Sequence, residues 1–155
     1  MLNRLMISVC GVCLVLLTSC SDSLSQSKVD KIEKAILDVH AKLVKAAENL
    51  DADAMFEYIL DSDETTIQTG DVVQNRNDAL ESVRESFARF SKIQYDFDLV
   101  EVTVLTPTTA EMNVKGKSVD TTTNGRVLTF HFRQKNLYVL TDDGWKLKHA
   151  QHMPE

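Results

Sequence analysis

The chain has 155 residues, of which 43% are hydrophobic, and this length is that of one ordinary domain. Its formal net charge of −6 argues against nucleic acid and against anionic lipid headgroups as partners. All the cysteines, Cys10, Cys13 and Cys20, lie near the amino terminus, so no disulfide is expected in the rest of the chain, whose stability must come from its core.

The amino-terminal segment has the organisation of a bacterial export signal. Arg4 is the only charged residue before Asp22, and residues 5–17 form an almost continuous apolar run. This run is shorter than the roughly 20 apolar residues that a membrane-spanning helix needs. It ends in Leu17-Thr18-Ser19-Cys20, which resembles the lipobox of bacterial lipoproteins. We therefore expect residues 1–19 to be a signal peptide and Cys20 to carry lipid; the alternative is a plain secretory signal with an incidental cysteine.

A lipid on Cys20 is expected to anchor the protein to the membrane of the cell envelope. A diacylglycerol together with an amide-linked acyl chain gives lasting attachment, whereas a single chain is marginal. Residues 20–27 are serine-rich and are predicted to form a flexible tether, followed by a domain over residues 28–155. By resemblance to enteric lipoproteins, Ser21 in the second position indicates the outer membrane, facing the periplasm, if the organism is Gram-negative.

Three amphipathic helices are predicted in the first half of the domain. In the first, apolar residues recur at steps of three and four, and Ser27 with Asp30 resembles a capping box at its start. Its stripe consists of Ile32, Ile36, Val39, Leu43, Ala46 and Leu50. Asp51 is predicted to cap a second, shorter helix, and the segment 75–77 to start a third. The apolar residues of these two helices are Met55, Phe56, Ile59 and Leu60, then Leu80, Val83, Phe87 and Phe90.

β-Branched and aromatic residues dominate the second half of the domain, which predicts strands. These strands cover residues 95–105, 109–121, 126–141 and 145–152, and a short strand is expected around residues 65–69. Turn residues separate the long strands, and the Asn-Gly and Asp-Gly pairs at 124–125 and 143–144 indicate hairpins. Helices followed by an antiparallel meander make an α+β domain.

Two segments resemble a known superfamily, that of nuclear transport factor two, and within it the SnoaL-like proteins. Residues 49–55 (Asn-Leu-Asp-Ala-Asp-Ala-Met), followed by Tyr58, resemble the turn between its first two helices. Residues 143–151 (Asp-Gly-Trp-Lys-Leu-Lys-His-Ala-Gln) resemble its last strand. The resemblance implies three N-terminal helices packed on a curved antiparallel sheet, which form a cone with an internal cavity. It also implies a homodimer formed through the open sheet face.

In such a cone, inward-facing strand residues line the cavity. Period-two alternation places Trp145, Leu147, His149 and Gln151 on one face of the last strand, with Leu140, Tyr138, Asn136 and Gln134 opposite them if the loop is 141–144. Ser118 and Asp120 are expected to face inward on the strand before, and Tyr58 to close the cavity from the helical side. The predicted pocket for a small apolar or amphipathic ligand consists of Tyr58, Asp120, Asn136, Tyr138, Trp145, His149 and Gln151.

Structural roles compete with these assignments. Tyr58 and Trp145 are also typical core residues with a hydrogen-bonded edge. His149 is equally well explained as a satisfied buried histidine, and Asp120 as a solvated residue beside a threonine-rich turn.

No metal site and no cofactor are expected. His149 and His152 differ by three in a strand, which sends them to opposite faces, and the spacing supplies no third ligand. His131 and Arg133 are predicted to point to solvent. The acidic stretch 61–64 lacks the pattern of a calcium loop and is interpreted as a turn that ends a helix.

Two classes of function fit this sequence. The favoured one is a noncatalytic small-ligand-binding or assembly module at the cell envelope. The alternative is a small enzyme of the ketosteroid isomerase or polyketide cyclase type, which needs a base with a tuned pKa inside the cavity. The isomerase base lies on the first short strand, but residues 65–70 contain no carboxylate. His149 is then the candidate general base, oriented by Asn136 or Gln151, with Tyr58 as a donor.

Overall fold

A computed structural model describes residues 24–155 of the chain. The predicted signal peptide, Cys20 and the first part of the tether lie outside the described residues. The helices are α1 (Gln26–Glu48), α2 (Ala52–Phe56) and α3 (Arg76–Phe87). The strands are β1 (Thr66–Thr69), β2 (Val72–Asn75), β3 (Phe90–Thr106), β4 (Thr109–Thr122), β5 (Val127–Thr141) and β6 (Gly144–Pro154). No helix described over residues 24–155 is long and apolar enough to cross a membrane.

The predicted apolar stripe of α1 is confirmed, although its start is different. Five of the six predicted residues, Ile32 to Ala46, are buried, and they pack on the sheet. The helix is capped by Ser25 without a side-chain hydrogen bond, so the capping box predicted at Ser27 was wrong. Asp30 instead accepts a hydrogen bond from the Gln26 amide at 2.7 Å. Leu50, predicted as the last stripe residue, lies beyond the helix at a φ of 58°.

The caps predicted for the two shorter helices are confirmed. The Asp51 carboxylate accepts a hydrogen bond from the Ala54 N–H at 2.9 Å. The Asn75 side chain accepts one from the Asp78 N–H, also at 2.9 Å. Both bonds satisfy N–H groups that have no partner within the helix. Phe90, assigned to the third helical stripe, is instead the first residue of β3, so that helix is shorter than predicted.

The six strands form one curved, open sheet in the order β2-β1-β6-β5-β4-β3. The α+β class and the helices on one face of the sheet are as predicted. The sheet is not wholly antiparallel, because β1 runs parallel to β6. β2 was not predicted: its valines, Val72 and Val73, are both exposed, so it lacks the alternation that marks a half-buried strand. Gly70, at a φ of 57°, makes the two-residue turn that pairs β2 with β1.

The concave face of the sheet carries the core. Along β4 every second residue from Ala110 to Asp120 is buried, as the predicted alternation requires. Position 116 of this buried row is a glycine. A Cβ there would lie 2.4 Å from the backbone oxygen of Asp96 on β3. Residues without a side chain are needed where two backbones approach this closely. The close approach of β3 and β4 at this point therefore requires glycine.

Candidate functional site

A cavity of about 490 Å³ lies between the helices and the concave face of the sheet. This volume is in the range of small-molecule sites. The helices contribute Leu43 and Ala47 from α1 and Phe56 from α2 to its mainly apolar wall. Its polar lining includes His40, Tyr95, Ser118, Gln134, Asn136, Tyr138, His152 and Glu155.

Strand β5 supplies the longest continuous wall of the cavity. Its inward residues alternate as predicted, and they are Phe130, Phe132, Gln134, Asn136 and Tyr138. Phe130 is 47% exposed at the mouth, whereas Tyr138 is fully buried. Asn136 and Tyr138 are the two predicted pocket residues that the structure places in the cavity wall. His131 and Arg133, on the alternate positions, have exposed side chains as predicted.

Strand β6 departs from the predicted alternation after Leu147. Trp145 pairs with Leu140 and Leu147 with Tyr138, as predicted, but the next pair joins His149 to Leu137. Lys148 is therefore an extra residue, a β-bulge, and everything after it changes face. Ala150 and His152 line the cavity instead of His149 and Gln151. Nothing in the sequence around Lys148 signals a bulge, because it contains no glycine and reads as a regular strand.

The two residues displaced by the bulge lie on the outer side of the sheet. His149 Nδ1 is 2.8 Å from the Thr66 hydroxyl on β1. Its pKa is lowered by burial and by the charge of Lys148, against the opposing charge of Glu64. Gln151 stands between Gln68 and Lys135 in the strand register. The prediction that His149 and Gln151 face the cavity was therefore wrong.

Tyr58 and Trp145 pack against the core and are not part of the cavity wall. The Tyr58 ring has the Lys42 and Lys146 ammonium groups 5.6 and 6.0 Å from its centroid. These two cation–π contacts hold the ring between α1 and β6. Tyr58 and Trp145 therefore have the structural role of core residues, not the predicted role in the pocket.

Asp120 faces the interior, as the alternation predicted, and the solvated alternative was wrong. Its side chain is 7% exposed, and its Oδ1 atom has no hydrogen-bond partner. Burial raises the pKa of this carboxyl, against the effect of a hydrogen bond from Ser118. Burial also raises the pKa of the neighbouring Tyr95 to about 12, with a further contribution from the charge of Asp120. Ser118 and Tyr95 line the cavity, whereas Asp120 itself does not.

His40 and His152, which were not predicted as pocket residues, line the cavity. His40 follows Ile36 by four residues on the apolar stripe of α1, and this position places it on the buried face of the helix. Its ring lies 5.4 Å from that of Phe97, edge to face. Its Nε2 has no partner, and burial lowers its pKa to about 4. His152, brought inward by the bulge, also has a pKa lowered by burial.

The inner polar groups of the cavity wall, unlike Glu155 at its exposed end, are therefore uncharged at neutral pH. Both histidines are neutral, and burial raises the pKa of Tyr138 far above the usual value of a phenol. The Tyr138 hydroxyl, like His40 Nε2, has no hydrogen-bond partner. Over residues 24–155, no group of three or more His, Cys, Asp or Glu side chains is placed to hold a metal ion. The inner part of the site can hydrogen-bond a small molecule, and it offers that molecule no counter-charge.

Helices that close a curved, open, six-stranded sheet around a deep cavity define the cone-shaped NTF2-like fold. A sequence profile of the SnoaL-like domain matches residues 36–152, and the chain therefore belongs to the SnoaL-like domain family.

Solved structures with similar folds include proteins of several kinds. An NTF2-like superfamily protein from Salmonella enterica is 14% identical, with a TM-score of 0.74 over 80% of this chain and 91% of that one. A candidate dehydratase from Streptomyces avermitilis is 18% identical, with a TM-score of 0.73 over 81% and 98%. A hexachlorocyclohexane dehydrochlorinase is 10% identical, with a TM-score of 0.72 over 84% and 90%. At these identities the likeness shows the fold alone. No curated protein matched the chain in sequence.

Proposed function

We propose that this protein is a noncatalytic small-ligand-binding module held at the cell envelope by a lipid on Cys20. The observation that carries the binding role is the cavity, whose wall contains two buried polar atoms without partners, His40 Nε2 and the Tyr138 hydroxyl. A buried polar group left unsatisfied costs about 1–3 kcal/mol. A ligand that hydrogen-bonds these atoms would recover that free energy on binding.

The chemistry of the wall supports binding over acid–base catalysis. A general base works best when its pKa lies near the operating pH. His40, with a pKa of about 4, and Tyr138 are both far from that range. Among the described residues of the wall, the only carboxylate is Glu155, which is ion-paired with Arg133 at the exposed end of the cavity.

The second candidate is a small enzyme of the ketosteroid isomerase or polyketide cyclase type. It is favoured by Asp120, a buried carboxyl with a raised pKa and an unpartnered oxygen behind the cavity wall. Similar folds also include a dehydrochlorinase and a candidate dehydratase. His149, the predicted general base, lies on the outer side of the sheet, so an enzymatic role would need Asp120 in its place.

Native mass spectrometry of the full chain, purified in detergent from its own host, tests the binding role. A retained organic molecule is expected, and Ala150→Met, which projects into the cavity, should displace it. Gln151→Met is the matched control, because residue 151 lies on the opposite face of the same strand. A wild-type chain that carries no molecule and binds none from a host lipid and metabolite extract would overturn the proposal. Chemical conversion of a bound molecule, lost in Asp120→Asn, would replace it with the enzymatic one.

The anchoring role is supported by the lipobox-like sequence before Cys20. The intact mass of the membrane-extracted protein should show loss of residues 1–19 and a gain that corresponds to acyl chains. A Cys20→Ala variant should move from the membrane fraction to the soluble fraction. Fractionation of inner and outer membranes then tests the predicted outer-membrane location. Unchanged membrane attachment of Cys20→Ala would refute a lipid anchor at this residue.

We also propose that the outer face of the sheet pairs two copies of the chain. Apolar side chains on this face, Leu99, Val127 and Met153, are between 37% and 61% exposed. A dimer is expected by sedimentation equilibrium of the full chain in detergent, and Val127→Asp should shift it to the monomer. Leu37→Asp is the control, because Leu37 is similarly apolar and exposed but lies on α1. A wild-type monomer at all concentrations would contradict the proposal.

A further inference from the structure

Three polar side chains form a line along one strand of the cavity wall. Gln134, Asn136 and Tyr138 are successive inward residues of β5. Their partners on β4 are all apolar, namely Val114, Met112 and Ala110. On the other side, β6 places His152, Ala150 and Leu147 beside them. Each of these three inward positions of β5 therefore carries a hydrogen-bonding group, whereas five of their six cross-strand neighbours are apolar.

The geometry of a strand sets the spacing along this line. Two residues of an antiparallel strand span about 6.8 Å, so the three side chains extend over roughly 14 Å. The extra residue of the β5–β6 pairing, Lys148, belongs to β6, which leaves β5 regular over this stretch. The line runs from Gln134, near the exposed end of the strand, to the fully buried Tyr138.

At the outer end of the line, two side chains share one hydrogen bond. The Gln134 amide nitrogen lies 3.0 Å from Nδ1 of His152. Because Nδ1 is engaged in this bond, Nε2 is the ring atom of His152 that can hydrogen-bond a ligand. At the inner end, the unpartnered Tyr138 hydroxyl can donate or accept.

Charge narrows the class of ligand further. A carboxylate or an ammonium group brought to the inner wall, away from Glu155 at the exposed end, would lose its hydration without gaining a counter-ion. An anion would in addition face the buried carboxyl of Asp120 behind Ser118. A neutral molecule neither loses the hydration of a charge nor is repelled by Asp120.

We infer that the ligand of this cavity is an elongated, uncharged, mainly apolar molecule with hydroxyl or carbonyl oxygens along one edge, spaced to match alternate residues of β5. This inference rests on the proposed binding function and adds the chemical class of the ligand. Gln134 with His152, Asn136 and Tyr138 are then the residues that determine specificity.

A matched series of probes tests the inference: naphthalene, 2-naphthol, 2,6-naphthalenediol and 6-hydroxy-2-naphthoate. The two oxygens of the diol are separated by about the rise of two strand residues. Calorimetric titration of the full chain in lipid nanodiscs, corrected with empty discs, is expected to give the tightest binding for the diol. One hydrogen bond of ordinary strength corresponds to a gain of about fivefold in affinity.

Variants distinguish the contribution of the polar side chains of β5 to binding from that of the apolar wall. Tyr138→Phe and Asn136→Leu should each weaken the diol about fivefold relative to naphthalene, whose binding they leave unchanged. Val139→Ala, on the opposite face of β5, should change neither probe. Because the discs are the same for wild type and variants, partition of the probes into lipid cancels.

Each outcome of this series is decisive. Equal affinity for naphthalene and the diol, or equal weakening of both by Tyr138→Phe, would overturn the inference while leaving a ligand-binding function in place. Binding of the naphthoate as tight as that of the diol would overturn the requirement for an uncharged ligand. Failure of all four probes, together with an empty wild-type protein in native mass spectrometry, would overturn the proposed function as well.

Discussion

At the scale of single residues, His40 shows how burial sets the charge of the cavity. It lies in the apolar stripe of α1, 9% exposed, against the ring of Phe97. Burial removes the hydration that would stabilise an imidazolium, and it lowers the pKa of His40 from 6.5 to about 4. The neutral form gives the site a hydrogen-bonding atom without a charge.

The lowered pKa of His40 predicts a dependence of stability on pH. Because the unfolded chain binds this proton near pH 6.5 and the folded one near pH 4, the free energy of unfolding is greatest above pH 6.5. It should fall by about 3 kcal/mol as the pH decreases to 4, and this group causes no further loss below that. In urea unfolding, wild type should therefore lose about 3 kcal/mol more than His40→Gln between pH 7 and pH 4, since the variant lacks this titration. A parallel pH dependence of the two proteins would contradict the assignment.

At Gly116, the backbones of β3 and β4 lie too close together to leave room for a side chain. A Cβ at this position would lie 2.4 Å from the Asp96 backbone oxygen, a contact that only a backbone shift can relieve. Gly116→Ala is expected to lower the free energy of unfolding by about 2 kcal/mol or more. Lys117→Ala, which removes only an exposed ion pair to Asp96, is the control and should have little effect. Equal urea midpoints for the two variants would show that the strands separate easily here.

At the scale of elements, the bulge in β6 decides which side chains reach the cavity. Before it, Leu147 bonds through its backbone to Tyr58 and Leu60; after it, the strand pairs with β1. The extra residue lies where β6 changes its neighbour. One inserted residue thus exchanges the inward pair His149 and Gln151 for Ala150 and His152.

Deletion of Lys148 tests this role directly. Without the extra residue, His149 would follow Leu147 directly in a regular strand, so His149 stays on the outer side and Ala150 stays inward. The deletion should therefore preserve the cavity wall, and its free energy of unfolding should lie within about 1 kcal/mol of that of Lys148→Ala. Lys148→Ala keeps the bulge and removes only the ion pair with Glu64, so it should unfold close to wild type. A deletion that is much more destabilising than the substitution would contradict the assignment of Lys148 as a simple one-residue insertion.

The same bulge explains how far the site could be predicted from the sequence. Asn136 and Tyr138 were predicted because β5 is regular and its alternation can be followed from the hairpin at Asp142. His149 was not placed correctly because a bulge changes the face without changing the apolar pattern. His40 was missed because a histidine within an apolar stripe does not by itself indicate a cavity.

At the scale of the whole molecule, prediction succeeded where one face of an element is buried. The helical stripes and the four long strands each separate apolar from polar residues, and this periodicity follows from burial on one side. β2 escaped prediction because it is an exposed edge strand. The parallel pairing of β1 with β6 was not predicted, because it depends on which edge of the sheet the chain reaches after α2. That position is set by tertiary packing and leaves no local sequence pattern.

The closure of the cone predicts that ligand binding and global stability are coupled. The cavity is bounded by α1, α2, α3 and the concave sheet, so unfolding of the domain destroys it. A ligand that binds only the folded state, at 100 times its dissociation constant, adds about 2.7 kcal/mol to the free energy of unfolding. For a domain of this size, the midpoint of thermal unfolding should rise by about 4 °C or more.

Thermal unfolding of the full chain with and without saturating 2,6-naphthalenediol measures this coupling. Tyr138→Phe should reduce the rise at the same probe concentration, because the diol loses one hydrogen bond to the wall. Val139→Ala should retain the full rise, since its side chain lies on the outer face of β5. A midpoint that rises equally in wild type and Tyr138→Phe would place the probe outside the cavity. A rise confined to proteins with the Tyr138 hydroxyl would connect the inner end of the β5 line to the stability of the whole cone.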